Sequence, residues 1–352
     1  MEDRGRGTRP ELGEMLDRAR VVAIPLRARF RGVTEREAVI FDAPGGASEF
    51  SPFTEYGDAE AAHWLAAAIE FGWGGADGEL PPIRRDRIPV NATVPAVPAE
   101  DVAGILARFP GCRTAKVKVA ERGQSLADDL ARVRAVRATL GDEGRIRVDA
   151  NGGWSVAEAE TALAALSGFD LDYAEQPCAS IPELAELRSR LRAAGRQRGR
   201  PIRIAADESV RKAEDPVAVA RAGAADLLVV KAQPLGGIAR TLGLVAEAGL
   251  PVVVSSALET SVGIAMGLHL AAALPDDALD GACGLGTAAL LTGDVTPEPL
   301  LPRHGALEVR RPRPDPELLD RRAASPERER WWLDRIARCH AILSQADPQP
   351  GG

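Results

Sequence analysis

Lysine is nearly absent from this 352-residue chain. Of its 44 basic residues only Lys116, Lys118, Lys212 and Lys231 are lysine, and the rest are arginine. Either residue serves as surface charge, but only lysine can lose its proton near neutral pH when its surroundings lower its pKa. Three of the four, Lys116, Lys118 and Lys231, close apolar runs that read as buried strands. Lysine is thus kept almost solely where its deprotonation could matter.

Other shortages narrow the field. Cys112, Cys178, Cys283 and Cys339 are far apart and form no metal-type or redox spacing, and a disulfide framework does not suit a chain this long, so a reducing compartment is expected. No 18-residue apolar run exists and the N-terminus lacks a signal-peptide core, so the expected location is the cytoplasm, with no membrane partner. The net charge of −7 is spread without blocks of one sign and argues against nucleic acid. Three methionines are too few for an adaptable binding surface. His63, His269, His304 and His340 fall outside every strand-end motif and are read as structural.

What is present has a rhythm. Residues 1–19 read as a charged arm or short capping turn, 21–30 as a half-exposed antiparallel strand, 37–41 as its partner, 48–53 as an irregular loop, and 58–71 as a helix. From residue 88 strands and helices alternate. Eight apolar strands are expected near 89–94, 114–119, 145–149, 171–175, 202–207, 226–231, 251–256 and 279–283, with helices such as 126–140 and 156–166 between them. Ser155 is placed to cap the latter helix, with Glu158 in its first turn. The expected fold is α/β: a (β/α)8-type barrel over 88–301, and a small α+β capping domain over 1–87 on which 302–352 packs. In the last segment a helix near 326–343 carries Trp331 and Trp332, which are expected to dock it, and the tail after Asp347 is expected to be disordered. Gly236-Gly237 reads as a turn and helix start.

The strand ends carry the chemistry. Five successive strands, each about one strand-plus-helix unit from the next, end in Lys118, Asp149, Glu175, Asp207 and Lys231. An open doubly wound sheet binds at one switch point and gives no reason for five consecutive polar ends, whereas a barrel brings all its C-terminal strand ends to one face. Three adjacent carboxylates form an oxygen-rich pocket for a hard divalent cation. A cation holding a substrate carboxylate would acidify the neighbouring C–H, and a partly desolvated lysine beside another cation could take that proton. The competing account, that each acid is a strand-end cap or ion-pair partner, serves for one residue better than for three in a row flanked by lysines.

The motifs Lys116-Val117-Lys118, Asp149-Ala150-Asn151, Glu175-Gln176-Pro177, Asp207-Glu208-Ser209 and Lys231 together resemble the enolase superfamily, in its muconate-lactonizing subgroup. The resemblance runs from about residue 21 to the eighth strand. It implies Asp149, Glu175 and Asp207 as ligands of Mg²⁺, for which Mn²⁺ could substitute, and Asn151 and Glu208 as the polar groups behind them. It implies Lys118 and Lys231 as an acid/base pair facing opposite sides of a small-molecule carboxylate, with Lys116 supporting Lys118.

Within the subgroup the similarity is to members with a short cap. It rests on Phe50-Ser51-Pro52-Phe53-Thr54-Glu55-Tyr56, Val90-Asn91-Ala92-Thr93-Val94-Pro95, the run from Ser255 to Gly263, and Cys283-Gly284-Leu285-Gly286-Thr287. Ser255, Ser256, Gly284 and Leu285 are the expected substrate-binding positions, through hydroxyls and backbone N–H groups near a helix N-terminus. The activity implied is syn dehydration of 2-succinyl-6-hydroxy-2,4-cyclohexadiene-1-carboxylate, a step toward menaquinone. The alternative is racemisation of N-succinylamino acids or epimerisation of dipeptides, which uses the same residues. A binding scaffold would have lost a ligand or lysine, and Schiff-base aldol chemistry gives no reason for three acids. Neither the oligomeric state nor the cap residues that touch substrate follow from the sequence.

Overall fold

The structure is a computed structural model that describes residues 9–30, 32–74, 80–198, 202–211 and 215–346, without the side chains of 195–198. Lys212 and the tail after Asp347 lie outside the described residues, as does the start of the N-terminal arm. The rest of that arm is the helix Leu12–Asp17.

The cap begins with a three-stranded antiparallel sheet, Ala19–Phe30, Val33–Phe41 and Ser48–Phe50. The third strand corrects the expectation of a loop over 48–53. Ser48, Glu49 and Phe50 pair with Phe41, Ile40 and Val39, and only the residues from Ser51 onward are irregular. Polar Ser48 and Glu49 hide the strand in the sequence because both are fully buried, Glu49 against partners elsewhere in the fold.

The helix Asp58–Trp73 covers the sheet, and the helix Pro326–Ala346 packs against it through Trp332, Ile336 and Cys339. Trp332 meets Phe50 edge-on at 5.8 Å and donates its ring N–H to Glu37 at 3.1 Å, so the indole buries its apolar body without orphaning its donor.

The second unit is built on a seven-stranded parallel sheet: Ala92–Val94, Thr114–Lys118, Arg145–Asp149, Leu171–Glu175, Arg203–Ala206, Leu227–Val230 and Val252–Val254, paired in sequence order. Two expected strands differ. The first, near 89–94, divides: Arg87–Pro89 pairs antiparallel with Ala306–Glu308, and only Ala92–Val94 joins the parallel sheet. The eighth, near 279–283, forms no ladder. It makes single bridges from Leu279 to Val252, Cys283 to Val90 and Gly284 to Ser255. Gly281 has a φ of +72°, a left-handed kink that interrupts regular pairing. The segment still joins both edges of the sheet. Asp280 and Gly284 donate backbone N–H groups to Val252 and Val254, and Cys283 and Pro89 share the bond on the other side.

Strand parity explains the placement of every polar strand end. Val117, Val148, Ala174, Ala206, Val230 and Val254 belong to the large core under the helices. Tyr173, Ala205, Leu227, Val229 and Val253 pack together in a separate cluster inside the ring. With a period of two, Lys116 and Lys118, Asp149, Glu175, Asp207, Lys231 and Ser255 share the inner side. The helices start with firm local signals: Ser125 with Asp128 and Ser155 with Glu158 form full capping boxes for Leu126–Leu140 and Val156–Leu166.

Candidate active site

The strand register sets the site. Lys118 is paired with Asp149, and Asp149 with Glu175, across neighbouring strands. Their side chains meet at the C-terminal mouth of the ring, fully or almost fully buried. Lys118 donates to Asp149 Oδ2 at 2.5 Å and to Asn151 Oδ1 at 2.6 Å. Lys116 bridges Glu175 Oε1 at 2.7 Å and Asp149 Oδ2 at 3.1 Å. Opposite them Lys231 is paired with Asp207. Asn151 donates to Glu208 at 3.0 Å, so the two polar groups expected behind the ligands are bonded to each other.

Several residues in the loops that follow the strands hold left-handed backbone although they are not glycine: Ala120, Asn151, Gln176 and Leu258. Such conformations persist only where the surroundings enforce them, and they cluster at functional sites. Gln176 shows how they are enforced. Its side-chain oxygen accepts from Asp207 N at 2.9 Å and Ser209 N at 3.2 Å, while its amide donates to Cys178 O and Ser209 Oγ.

Burial and charge work against each other here. Burial opposes ionisation of Asp149, but the ammonium groups of Lys118 and Lys116 outweigh it and hold that carboxyl well below the usual range. Asp207 is likewise held low, as Lys231 and Arg211 overcome the burial. Glu175 goes the other way: burial and the neighbouring Asp149 push it up despite Lys116. Lys116 is raised because Glu175, Asp149 and Asp207 outweigh its burial. Lys231 is lowered by burial, offset only in part by Asp207.

The donor set fits a hard divalent cation. It consists of carboxylate oxygens, the preferred ligands of such ions. Glu175 Oε2 is buried without a hydrogen-bond partner, and Glu175 itself lacks enough positive charge to favour ionisation. Among the described residues no three acidic, histidine or cysteine side chains are already gathered around one point. Each carboxylate is instead turned to a lysine, whose ammonium occupies the place of a positive charge.

Three of the four expected substrate-binding positions, Ser255, Ser256 and Gly284, line the mouth. Leu285 does not. Its side chain is fully buried against Gly267 of the helix Ser261–Ala273. The sequence reading missed Phe30, Phe53 and Arg211, which also line it. Phe30 lies 5.1 Å from the Lys118 ammonium, ring to charge. Arg211 spans Asp207, Glu208 and the cap residue Tyr56, whose hydroxyl accepts from it at 2.7 Å. Its spacing of four residues from Asp207 was visible; its reach to the cap was not. None of the four histidines lines the mouth.

Residues 100–314 match the family described as enolase C-terminal domain-like, and residues 21–72 the one described as enolase N-terminal domain-like. An o-succinylbenzoate synthase of Mycobacterium tuberculosis strain H37Rv is 55% identical over 335 residues, covering 95% of this chain and 97% of its own. Among solved structures, 2-chloromuconate cycloisomerase from Rhodococcus opacus aligns with a TM-score of 0.71 at 25% identity, over 88% of this chain and 98% of its own. The N-succinyl Arg/Lys racemase of Bacillus cereus aligns with a TM-score of 0.69 at 19% identity, over 87% and 98%, a likeness of fold alone. With both domain families matched in order and a relative similar from end to end, the chain belongs to the enolase superfamily, in its muconate-lactonizing subgroup.

Proposed function

We propose that this chain is an o-succinylbenzoate synthase, a carbon–oxygen lyase that dehydrates 2-succinyl-6-hydroxy-2,4-cyclohexadiene-1-carboxylate in menaquinone biosynthesis. The observation that carries it is the 55% identity to o-succinylbenzoate synthases over 95% of the chain. The reading as a racemase or epimerase has likenesses of fold alone in its favour, at 19% and 22% identity.

Lys118 Nζ takes the proton from ring C1, alpha to the carboxylate, and returns it to the hydroxyl leaving C6. The C6–O bond breaks, the C1–C6 double bond forms, and the products are water and the aromatic ring. Lys231 stays protonated and meets the charge that flows onto the carboxylate oxygens. Lys116 holds Asp149 and Glu175 in place. Because the ring becomes aromatic, the site needs little beyond one neutral base and a place for charge.

Enolase-superfamily enzymes generally depend on a divalent metal. Asp149, Glu175 and Asp207 would hold Mg²⁺, with Mn²⁺ able to replace it, and the ion would supply Lewis-acid stabilisation to the substrate carboxylate. Ser255 and Ser256, with the backbone at Gly284 and Leu285, would receive the succinyl arm. We assign 88–301 to the catalytic barrel and 1–87 with 302–352 to the cap. The described residues contain no helix long and apolar enough to cross a membrane, and we place the enzyme in the cytoplasm. The test is an ultraviolet assay of aromatisation with the cyclohexadiene substrate, beside a panel of N-succinylamino acids. Turnover of the amino acids without dehydration would overturn the assignment.

A further inference from the structure

The helix Ser261–Ala273 follows the last strand of the sheet, and its start is satisfied from three directions. Val262 N–H is taken by the N-cap Thr260 Oγ1 at 3.2 Å, and Ser261 N–H by Asp294 at 3.2 Å. Gly263 N–H is taken at 3.0 Å by Glu49 Oε2, which comes from the third strand of the cap. The same oxygen accepts from Thr260 N at 3.1 Å and Thr260 Oγ1 at 2.6 Å, and Oε1 accepts from Ser51 Oγ at 2.6 Å. A helix N-terminus leaves such donors unpaired and carries partial positive charge, so a carboxylate suits it. Here the carboxylate belongs to the other domain.

Gly263 makes the room for it. A Cβ there would lie 2.8 Å from Glu49 Cδ and 2.6 Å from Glu259 Cβ, closer than non-bonded carbons tolerate. The residues just before Thr260 form one wall of the mouth: Ser255, Ser256, Ala257 and Leu258. That wall is held in an uncommon shape, with Leu258 left-handed and Glu259 Oε2 accepting from Ala257 N at 2.6 Å.

The cap makes a second attachment of the same kind. Glu70 accepts from Ile238 N and, at 2.9 Å, from Ala239 N, at the start of the helix Ile238–Ala248. Gly237, at the N-cap of that helix, has no side chain to offer. Glu70, however, holds a helix start that contributes nothing to the wall of the mouth.

We propose that Glu49 is a positioning residue: from the cap, through Thr260 and Gly263, it sets the conformation of the substrate-facing wall 255–260 and thereby substrate affinity. The inference rests on the functional reading of the mouth given above.

The test compares Glu49→Ala, Glu49→Gln, Gly263→Ala and Glu70→Ala in the full chain, by steady-state kinetics on the cyclohexadiene and by amide hydrogen exchange without substrate. Glu49→Ala should raise KM by about tenfold or more while kcat stays within about threefold, the pattern of lost binding rather than lost chemistry. Exchange at Thr260 and Gly263 should quicken by about tenfold or more as their acceptor disappears, and the neighbouring amides of 257–262 should follow as the wall loosens. Glu49→Gln should stay near wild type, because the amide oxygen can accept the same three donors while its NH2 donates to Ser51 Oγ. Gly263→Ala should reproduce the KM rise from the barrel side, and it decides the matter if Glu49→Ala fails to fold. Glu70→Ala should loosen the cap without moving KM. An unchanged KM in both Glu49→Ala and Gly263→Ala, or an equal rise in Glu70→Ala, would overturn the proposal. If wild-type protein does not dehydrate the substrate, the functional reading fails, and the exchange data alone decide whether Glu49 orders the wall.

Discussion

Two groups of carboxylates withdrawn from solvent are satisfied in opposite ways. At the barrel mouth Asp149, Glu175 and Asp207 face lysine side chains, and Glu175 keeps one oxygen with no partner. At the seam between cap and barrel the oxygens of Glu49 accept from two backbone N–H groups and two hydroxyls. Glu70 likewise accepts from two backbone N–H groups. A flexible ammonium can yield its place to another cation, whereas a helix N-terminus cannot leave. Burying a carboxylate is costly in both places. The mouth answers that cost with exchangeable charge, as a binding site requires, and the seam answers it with fixed dipoles, as an attachment requires.

The comparison breaks most visibly at the mouth. Asp207→Asn should remove nearly all dehydration while the protein stays folded, and a chelator should do the same reversibly, with Mg²⁺ or Mn²⁺ restoring the rate. Full turnover in excess chelator would show that the acids serve no ion. Lys118→Arg keeps the positive charge but not a group able to be neutral near pH 7, so kcat should fall about a thousandfold or more. Lys231→Arg keeps a cation on the opposite side, and it should retain measurable dehydration. Equal wild-type rates in both lysine variants would remove the assigned roles.

At the seam the effect is on stability, and its sign is set by pH. Burial, and then the nearby Glu259, push the Glu49 carboxyl from 4.5 up to about 7, against Ser51, Thr260 and the Arg36 guanidinium. The folded state therefore holds this proton more tightly than the unfolded chain does. The stability this provides is complete below about pH 4.5 and is lost as pH rises through about 7. Gln at position 49 carries no such proton. Relative to Glu49→Gln, wild type should thus lose stability between pH 5 and pH 8, by at most about 3 kcal/mol. Glu259 is itself raised and is one cause of the Glu49 shift, so the difference reads Glu49 together with its coupling to Glu259. Urea unfolding at several pH values reads it, and a flat difference would mean that Glu49 is ionised throughout.

The contrast also explains what could be read in advance. The lysines and acids of the mouth end apolar runs, and period-two parity puts Lys116 and Lys118 on one side of their strand without knowledge of the rest of the chain. The capping boxes at Ser125 and Ser155 are local too, with their partners three residues away. Glu49 and Glu70 were illegible because their partners lie more than 160 residues further on. In the sequence Glu49 looks like a loop residue, and it led to the strand Ser48–Phe50 being read as irregular. The interrupted eighth strand failed for a different reason: the apolar pattern was right, but Gly281 allows a kink that pattern alone does not reveal.

Glu70 offers the smallest effect and the sharpest control on this reasoning. Its helix begins at Gly237, so no residue of the barrel itself can take over as a cap. Removing a side-chain cap costs about 1 kcal/mol in helices generally. Burial raises the Glu70 carboxyl against the two N–H groups that favour its charge, so part of that loss is returned when the carboxyl is deleted. Glu70→Ala should therefore destabilise the protein by about 1 kcal/mol or less, a Tm shift of roughly 2 °C for a chain of this size. Calorimetry reads the shift, and kinetics should show kcat and KM unchanged. A Tm loss far beyond this would mean that the cap is held mainly through Glu70, and that its apolar contacts with the barrel contribute less than their burial suggests.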